Sequence, residues 1–197
     1  MILYSMMILL AWVLIISLNA IINIPIYNFD LLYIIFGVVV STIAVIAIDG
    51  ATAGLVRLLP NKWFNPMAKR YRVYKWEKRF YEAIGIKIWK ESVPELGHLT
   101  KFRKNKIADP ANNDYVYRFL LEIVYGRVGH AVSCVTGFLI IFIFPLEYAL
   151  CFGVPVAVVN AIMNYMPIAI LRYNFPKLMA LYRMNERKNR KIDKTKK

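Results

Sequence analysis

The chain has 197 residues, of which 59% are hydrophobic and 19% charged, and its mean hydropathy is +0.47. A soluble domain of this length is seldom so apolar, so the composition favours a membrane protein. The net charge of +14 raises nucleic-acid binding as an alternative. Lys and Arg, however, are absent from residues 1–56 and 128–171 and lie in two separate blocks. This distribution is typical of a membrane protein, so no nucleic-acid partner is predicted.

The first stretch without basic residues predicts a transmembrane hairpin over residues 1–59. Its first helix covers about residues 2–24, where Pro25 is expected to end it, and its second covers about residues 31–58. Each helix is long enough to cross a hydrocarbon core of about 30 Å at a rise of about 1.5 Å per residue.

Residues 60–113 are predicted to form a basic segment on the cytoplasmic side. The stretch NPMAKRYRVYKWEKRFYEAIG predicts a helix that Asn65 caps and Gly85 ends. Its apolar side chains recur at helical spacing and its cations occupy the other sides, which is typical of a helix lying in the membrane interface. An amphipathic helix on a soluble subdomain is the alternative, but apolar spans on both flanks favour the interfacial helix.

A second transmembrane hairpin with a cytoplasmic helical extension is predicted over residues 114–180. Its spans cover about residues 128–144 and 149–171, and a basic tail over residues 181–197 is expected to be mobile. Because Lys and Arg concentrate in cytoplasmic loops, both termini are predicted to be cytoplasmic in a bacterial plasma membrane. The sequence thus predicts an all-α membrane protein with four transmembrane helices in two hairpins and a basic interfacial amphipathic helix.

The third span opens with LEIVYGRVGH, in which polar and small residues follow one side of the helix. Glu122, Gly126, His130, Ser133 and Gly137 recur at steps of three or four residues. Ionisable groups at membrane depth are costly, so the glutamate and the histidine are candidate catalytic residues. The alternative is a stripe that only permits close helix packing.

The end of the fourth span carries a second polar set. Asn160 and Asn164 share a face, and Arg172, Tyr173 and Asn174 follow where the helix leaves the apolar core. An arginine offers a planar fork of donors to a phosphate or carboxylate headgroup, and Asn164, Arg172, Tyr173 and Asn174 are predicted to bind substrate. Ordinary snorkelling and an aromatic belt are the alternatives for the arginine and the tyrosine.

Three further residues complete the candidate set. Arg127 lies beside the stripe and is predicted to bind substrate. His98, the second histidine, is a reserve candidate for a catalytic base or an exposed loop residue. Asp49 interrupts the second span, where it can face the interior and pair with a residue of another helix or act as a cap.

The stretch WEKRFYEAIGIKIWKESVPELG, the pair of Glu122 and His130 and the stretch RYNFPKL together resemble the glycosyl-4,4'-diaponeurosporenoate acyltransferase family over about residues 60–180. These are small bacterial membrane proteins that acylate a glycosylated carotenoid. The resemblance implies an acyl donor, either acyl-CoA or an acyl carrier protein, and a glycolipid acceptor. It also places Trp89 and Lys90 among the substrate-binding residues.

The predicted function is therefore a membrane O-acyltransferase that transfers a fatty acyl group to a hydroxyl of a glycosylated lipid. His130 is the predicted general base, Glu122 positions it or the acceptor, and Arg172 and Asn164 donate to a headgroup or an oxyanion. Neither a metal nor a bound cofactor is predicted, because no cysteine or histidine spacing suits one. The alternative is a non-catalytic membrane scaffold that binds anionic lipid and partner helices. Membrane lipids are partners in both cases, and self-association is compatible with either.

Overall fold

The computed structural model describes residues 2–93 and 107–195, and within these ranges the chain is helical, with no strand. The prediction of an all-α protein is confirmed. The α-helices are α1 (Ile2–Tyr27), α2 (Leu31–Leu58), α3 (Lys75–Ala83), α4 (Ile86–Trp89), α5 (Asn113–Thr136), α6 (Leu146–Tyr148) and α7 (Val154–Thr195). Short 3₁₀ turns lie at Asn61–Phe64, Lys69–Tyr71, Lys90–Ser92 and Gly137–Phe142, and a π-helical turn lies at Ala149–Gly153.

Within the described residues, four helical stretches are long and apolar enough to cross a membrane. They are Ser5–Ile26, Leu31–Leu58, Asn113–Phe142 and Leu146–Lys191. Many of their large apolar side chains are exposed, as lipid-facing residues are. This supports a membrane protein, whereas the pairing of the spans into hairpins stays a prediction.

The expectation that Pro25 ends the first helix is wrong, because α1 continues to Tyr27 with the proline inside it. The helix ends where Asn28 adopts a left-handed conformation with a φ of 57°. The backbone N–H of Asn28 still donates to the carbonyl of Ile24 at 3.0 Å. Asn is one of the few residues that adopt this conformation readily, so Asn28 acts as the C-terminal cap in place of the proline.

The chain divides into two compact units. The first unit comprises the residues up to Leu58 together with Gly129–Pro167, and the second comprises Leu59–Val128 and the residues from Ile168 onward. Helices α5 and α7 therefore contribute residues to both units.

The first unit has an apolar core to which α1, α2, the 3₁₀ turn after α5, the π-helical turn and α7 contribute. Its buried members are Ile15, Ile34, Val38, Val45, Ile140, Phe152, Val156 and Ala157. Lipid is as apolar as these side chains, so close packing and polar contacts between helices hold such a unit together. One polar contact joins α1 to the π-helical turn, where the Asn19 amide donates to the Cys151 carbonyl at 2.9 Å.

Gly37 of α2 packs directly against the Phe152 ring in this core. A Cβ atom at this position would lie 2.7 Å from Cδ2 of the fully buried Phe152 ring. We expect Gly37→Ala to destabilise the protein by about 1–3 kcal/mol, because a close-packed core does not absorb an added methyl group. Thermal unfolding in detergent micelles measures this change.

The matched control for Gly37 is Gly54 on the same helix. A Cβ atom at Gly54 meets no atom within 4 Å, so Gly54→Ala is expected to leave the unfolding temperature unchanged or slightly raised. Equal losses of stability in the two variants would show that helix α2 does not pack against Phe152 as described.

In the second unit, the helix expected from Asn65 onward begins only at Lys75. Asn65 does cap, but it caps a local turn: its side-chain oxygen accepts from the Met67 N–H at 2.9 Å. The α-helix starts after Tyr74, whose N–H donates to Oε1 of Glu77 at 2.9 Å. A side chain three residues into a helix that satisfies the N-terminal N–H is a strong start signal, so Glu77 fixes the beginning of α3.

The other helix ends of the second unit follow the sequence more closely. Gly85 adopts a left-handed conformation with a φ of 71°, as expected of the residue that ends the helix. The stretch DPANND predicts a turn that can cap the next helix, and the side-chain oxygen of Asn112 in this turn accepts from the N–H groups of Asp114 and Tyr115, both at 3.1 Å. Helix α7 runs to Thr195 through most of the tail that was expected to be mobile.

Contacts with the start of α5 explain why the tail continues as a helix. The Asn185 amide donates to the carbonyl of Pro110 at 2.8 Å, and the Asn113 amide donates to Oε1 of Glu186 at 2.8 Å. These partners are more than 70 residues apart in the chain, so the basic composition of the tail does not reveal them.

Candidate functional site

A cluster of polar side chains links α2, α5 and α7 inside the first unit. We call it the His130 cluster; it consists of Asp49, His130, Asn160 and Asn164. Nδ1 of His130 lies 2.8 Å from Oδ1 of Asn164, whose Nδ2 donates to Oδ2 of Asp49 at 2.7 Å. Nδ2 of Asn160 donates to the other carboxylate oxygen of Asp49 at 3.2 Å. The structure therefore brings together two predicted site residues, His130 and Asn164.

The hydrogen bonds of this cluster fix the tautomer of the histidine. An ionised carboxylate only accepts hydrogen bonds, so Asn164 must turn its NH₂ group toward Asp49. The carbonyl oxygen of Asn164 then faces His130 and can only accept, so this contact is a hydrogen bond when the imidazole carries its proton on Nδ1. Nε2 consequently carries the lone pair, and it is the atom of His130 that is suited to act as a base.

Helix geometry places the two asparagines next to each other. Asn160 and Asn164 are one turn apart on α7, and the Asn164 amide also donates to Oδ1 of Asn160 at 3.1 Å. Gly137 makes room for this pair, because a Cβ atom there would lie 2.8 Å from Nδ2 of Asn160. Gly137, a member of the stripe of polar and small residues in the third span, thus allows close helix packing and also leaves space for the His130 cluster.

The same stripe also serves packing in the second unit. A Cβ atom at Gly126 would lie 3.0 Å from Cδ1 of Leu171, so this glycine lets α5 and α7 approach closely. Glu122, the other predicted catalytic residue, is half-buried on α5 in this unit.

The second unit contains a buried charge cluster of its own. Nε and Nη2 of Arg172 both lie 2.6 Å from Oε2 of Glu77, whose side chain is buried. The same carboxylate holds the start of α3 through its other oxygen. Two of the donor groups of Arg172, which was predicted to bind a headgroup, are therefore engaged with Glu77.

Arg127 is buried in the second unit between aromatic rings. Its guanidinium lies 5.8 Å from the ring centre of Tyr71 and 5.3 Å from that of Phe175. Its Nη1 donates to the carbonyl of Tyr71 at 3.0 Å. Cation–π contacts of this kind stabilise a guanidinium that has left water. Nε and the second amino group remain as further donors.

Helices α3 and α7 also meet at Tyr173, whose hydroxyl donates to Oε1 of Glu82 at 3.1 Å. Lys87 forms an ion pair with the same oxygen at 3.1 Å. The hydrogen bond from Lys87, followed by the one from Tyr173, lowers the pKa of the Glu82 carboxyl below its usual value. Tyr173, a predicted substrate-binding residue, is thus buried and bound to α3.

The remaining predicted residues have mostly local contacts. Nε1 of Trp89 donates to the carbonyl of Ile84 at 3.0 Å, and Lys90 forms an ion pair with Glu91 at 3.5 Å. Asn174 is half-buried on α7. His98 lies outside the described residues.

Of the other two members of the His130 cluster, Asn160 was not among the predicted binding residues, and Asp49 was a candidate to pair with a residue of another helix, with no catalytic or binding role assigned. Asp49 is the only charged residue between residues 31 and 56, and such a carboxylate needs polar partners at membrane depth. Asn160 and Asn164 were seen to share a face. Combining these two signals would have found the cluster, but the sequence does not show which helix faces which.

Comparison with known proteins bears on residues of both units. No curated protein and no solved structure matches the chain. The model of one family, described as glycosyl-4,4'-diaponeurosporenoate acyltransferase, matches residues 60–184, well over half of the chain. The match includes three of the four helices of the two polar clusters, namely α3, α5 and α7, and the resemblance read from the sequence is confirmed. The chain belongs to the glycosyl-4,4'-diaponeurosporenoate acyltransferase family.

Proposed function

We propose that this protein is a membrane O-acyltransferase that moves a fatty acyl group from a thioester donor to a hydroxyl of a glycosylated, carotenoid-like lipid. The family supports an acyltransferase acting on such a lipid. The observation that carries the mechanism is the hydrogen bond between Nδ1 of His130 and Oδ1 of Asn164, with Asn164 held by Asp49. It leaves Nε2 of His130 as an oriented base.

In the proposed reaction, Nε2 of His130 takes the proton of the acceptor hydroxyl. The hydroxyl oxygen attacks the thioester carbonyl, so that a C–O bond forms and the C–S bond breaks. The thiolate leaves and takes back the proton from Nε2, which restores the neutral histidine. Asn164 accepts the Nδ1 hydrogen bond throughout and stabilises the transient imidazolium.

Substrate binding is assigned to residues of the second unit. Arg127 retains Nε and one amino group as donors and is proposed to bind the phosphate or sugar headgroup of a substrate. Arg172 keeps α3 and α7 together through Glu77, so its predicted headgroup role becomes secondary. Asn174, Trp89 and Lys90 stay in the proposal as substrate-binding residues, and Glu122 stays as a residue that positions the base or the acceptor. The proposed donor is acyl-CoA or an acyl carrier protein.

Lipid mass spectrometry tests the proposed function. The native chain is expressed in a bacterial host that makes a glycosylated carotenoid, beside an empty vector. We expect the glycolipid to gain the mass of one fatty acyl group only when the native chain is present. Identical lipid profiles, with the protein present in the membrane, would contradict the acyltransferase and favour the membrane scaffold.

The basic segment before α5 is proposed to lie on the cytoplasmic surface of the membrane, with both termini on the same side. Large apolar side chains of α3 and the following residues are exposed at Trp76, Phe80, Ile84 and Ile88, as expected of a face that dips into the headgroup region. Cations such as Lys75 and Arg79 flank this face and attract anionic lipid.

We expect the indole of Trp76 to contact lipid. With the other three tryptophans replaced by phenylalanine, fluorescence of the remaining Trp76 should be quenched strongly by lipids brominated on the acyl chain. A variant that keeps only Trp89, which is half-buried and bonded to Ile84, is the comparison and should be quenched less. If a water-soluble quencher quenched Trp76 and the brominated lipids did not, this face would lie in solvent.

A further inference from the structure

We infer that Asp49 is a positioning residue of the acyltransferase site: by holding the two amides of Asn160 and Asn164, it fixes the tautomer of His130. The expected effect of Asp49 on the rate of acyl transfer rests on the proposed function. The tautomer of His130 can be measured without any reaction. Asp49 does not touch His130 and acts through Asn164.

The chemistry of the three groups determines the direction of each hydrogen bond. Both oxygens of the Asp49 carboxylate accept, one from Asn160 at 3.2 Å and one from Asn164 at 2.7 Å. An asparagine amide alone can face a histidine with either its oxygen or its nitrogen, and either choice gives a hydrogen bond. The carboxylate removes this freedom, because only the NH₂ group can face it, and its contact at 2.7 Å is shorter than the one at 3.1 Å that the same nitrogen makes with the backbone carbonyl of Asn160. The orientation of Asn164 then determines which imidazole nitrogen holds the proton.

The position of Asp49 argues for a role that a neutral residue does not fill. It is the only charged residue between residues 31 and 56, in a helix long and apolar enough to span a membrane. Keeping a carboxylate at this depth costs free energy, and such residues are usually functional. Asp49 contacts α7 through Asn160 and Asn164, whereas a separate polar contact, Thr52 with Thr136 at 3.0 Å, links α2 to α5. A negative charge behind Asn164 also stabilises the imidazolium that forms when Nε2 takes a proton.

Asp49 lies outside the part of the chain that the family model matches, residues 60–184. The residues that complete the His130 cluster therefore come partly from α2, a helix that the family match does not include. We infer that in this protein α2 belongs to the reaction machinery as well as to the membrane anchor.

The test is nitrogen NMR of the protein with ¹⁵N-labelled histidine in lipid nanodiscs. The chain has only two histidines, so a His98→Gln variant assigns the His130 signals. We expect the neutral imidazole of His130 to carry its proton on Nδ1 in the native chain. In Asp49→Leu, the NH₂ group of Asn164 keeps only its longer contacts with Asn160, both at 3.1 Å, so the Nε2–H tautomer that free histidine prefers should gain population.

Three variants separate positioning from folding. Asp49→Leu keeps an apolar helix former in the span, so the protein should remain folded while kcat falls about 10- to 100-fold with little change in KM. Asp49→Asn retains one carbonyl oxygen that can accept from Asn164 and should recover part of kcat. Thr52→Val removes a polar contact of α2 that is separate from the cluster and should leave the tautomer and kcat unchanged.

The two readouts have distinct meanings. If the native chain transfers acyl groups while Asp49→Leu keeps both the Nδ1–H tautomer and full kcat, the positioning role is wrong and the proposed function stands. If Asp49→Leu changes the tautomer as expected but the native chain transfers no acyl group, the role of Asp49 stands and the proposed function fails. A native His130 that carries its proton on Nε2 overturns the inference directly.

Discussion

Replacing His130 by alanine is expected to lower the rate of acyl transfer by about 10²- to 10⁴-fold, the usual contribution of a general base. Without Nε2, the acceptor hydroxyl keeps its proton and attacks a thioester only slowly. The KM values should change little, because the imidazole is proposed to act on the reacting hydroxyl and not on the headgroups. Initial rates with purified protein in lipid nanodiscs, a thioester donor and a glycosylated carotenoid measure this change.

The control for His130→Ala is Thr136→Val on the same helix. It removes the hydroxyl that contacts Thr52 without touching the His130 cluster, so the rate should remain close to that of the native protein. A fully active His130→Ala variant would rule out this histidine as the base. If His98→Ala were inactive at the same time, the base role would pass to the second histidine.

The membrane spans could be predicted from the sequence because they follow from the length of the apolar stretches. Residues 31–58 were predicted as one helix and form one, even though Asp49 and Gly50 interrupt the apolar character. Local cap signals also held at Gly85 and Asn112, since these depend only on neighbouring residues. The predicted start of the helix at Asn65 was wrong, because the Asn65 side chain accepts from the Met67 N–H and caps a local turn instead.

The His130 cluster could be predicted only in part. The spacing of Asn160 and Asn164 and the isolation of Asp49 were visible in the sequence, and each required a polar partner. The contact between Asn164 and Asp49 joins residues 115 positions apart, and periodicity does not specify which helices meet. Arg172 was predicted to bind substrate because its partner, Glu77, lies 95 positions away and the sequence does not reveal the contact.

Replacing Glu77 by alanine is expected to destabilise the protein by about 3–5 kcal/mol, because it leaves Arg172 with a partly buried charge and no partner. It also removes the acceptor for the first free N–H of α3. A change of this size should lower the unfolding temperature on the order of 10 °C, which circular dichroism in detergent measures. The comparison is Glu82→Ala, which removes a water-screened ion pair with the exposed Lys87 and the acceptor of the Tyr173 hydroxyl, so a smaller loss of stability than in Glu77→Ala is expected.

A double variant decides whether Arg172 serves stability or binds substrate. Apolar residues of similar size often replace a buried ion pair without loss, so Glu77→Leu with Arg172→Leu should recover much of the stability that Glu77→Ala loses. If this double variant also transfers acyl groups at the native rate, Arg172 only joins α3 to α7, as its two short contacts with Glu77 suggest. If it is stable but has a raised KM for one substrate, the arginine binds that substrate with its remaining donors. Failure of the double variant to regain stability would mean that the ion pair itself, and not merely the filled space, holds the two helices together.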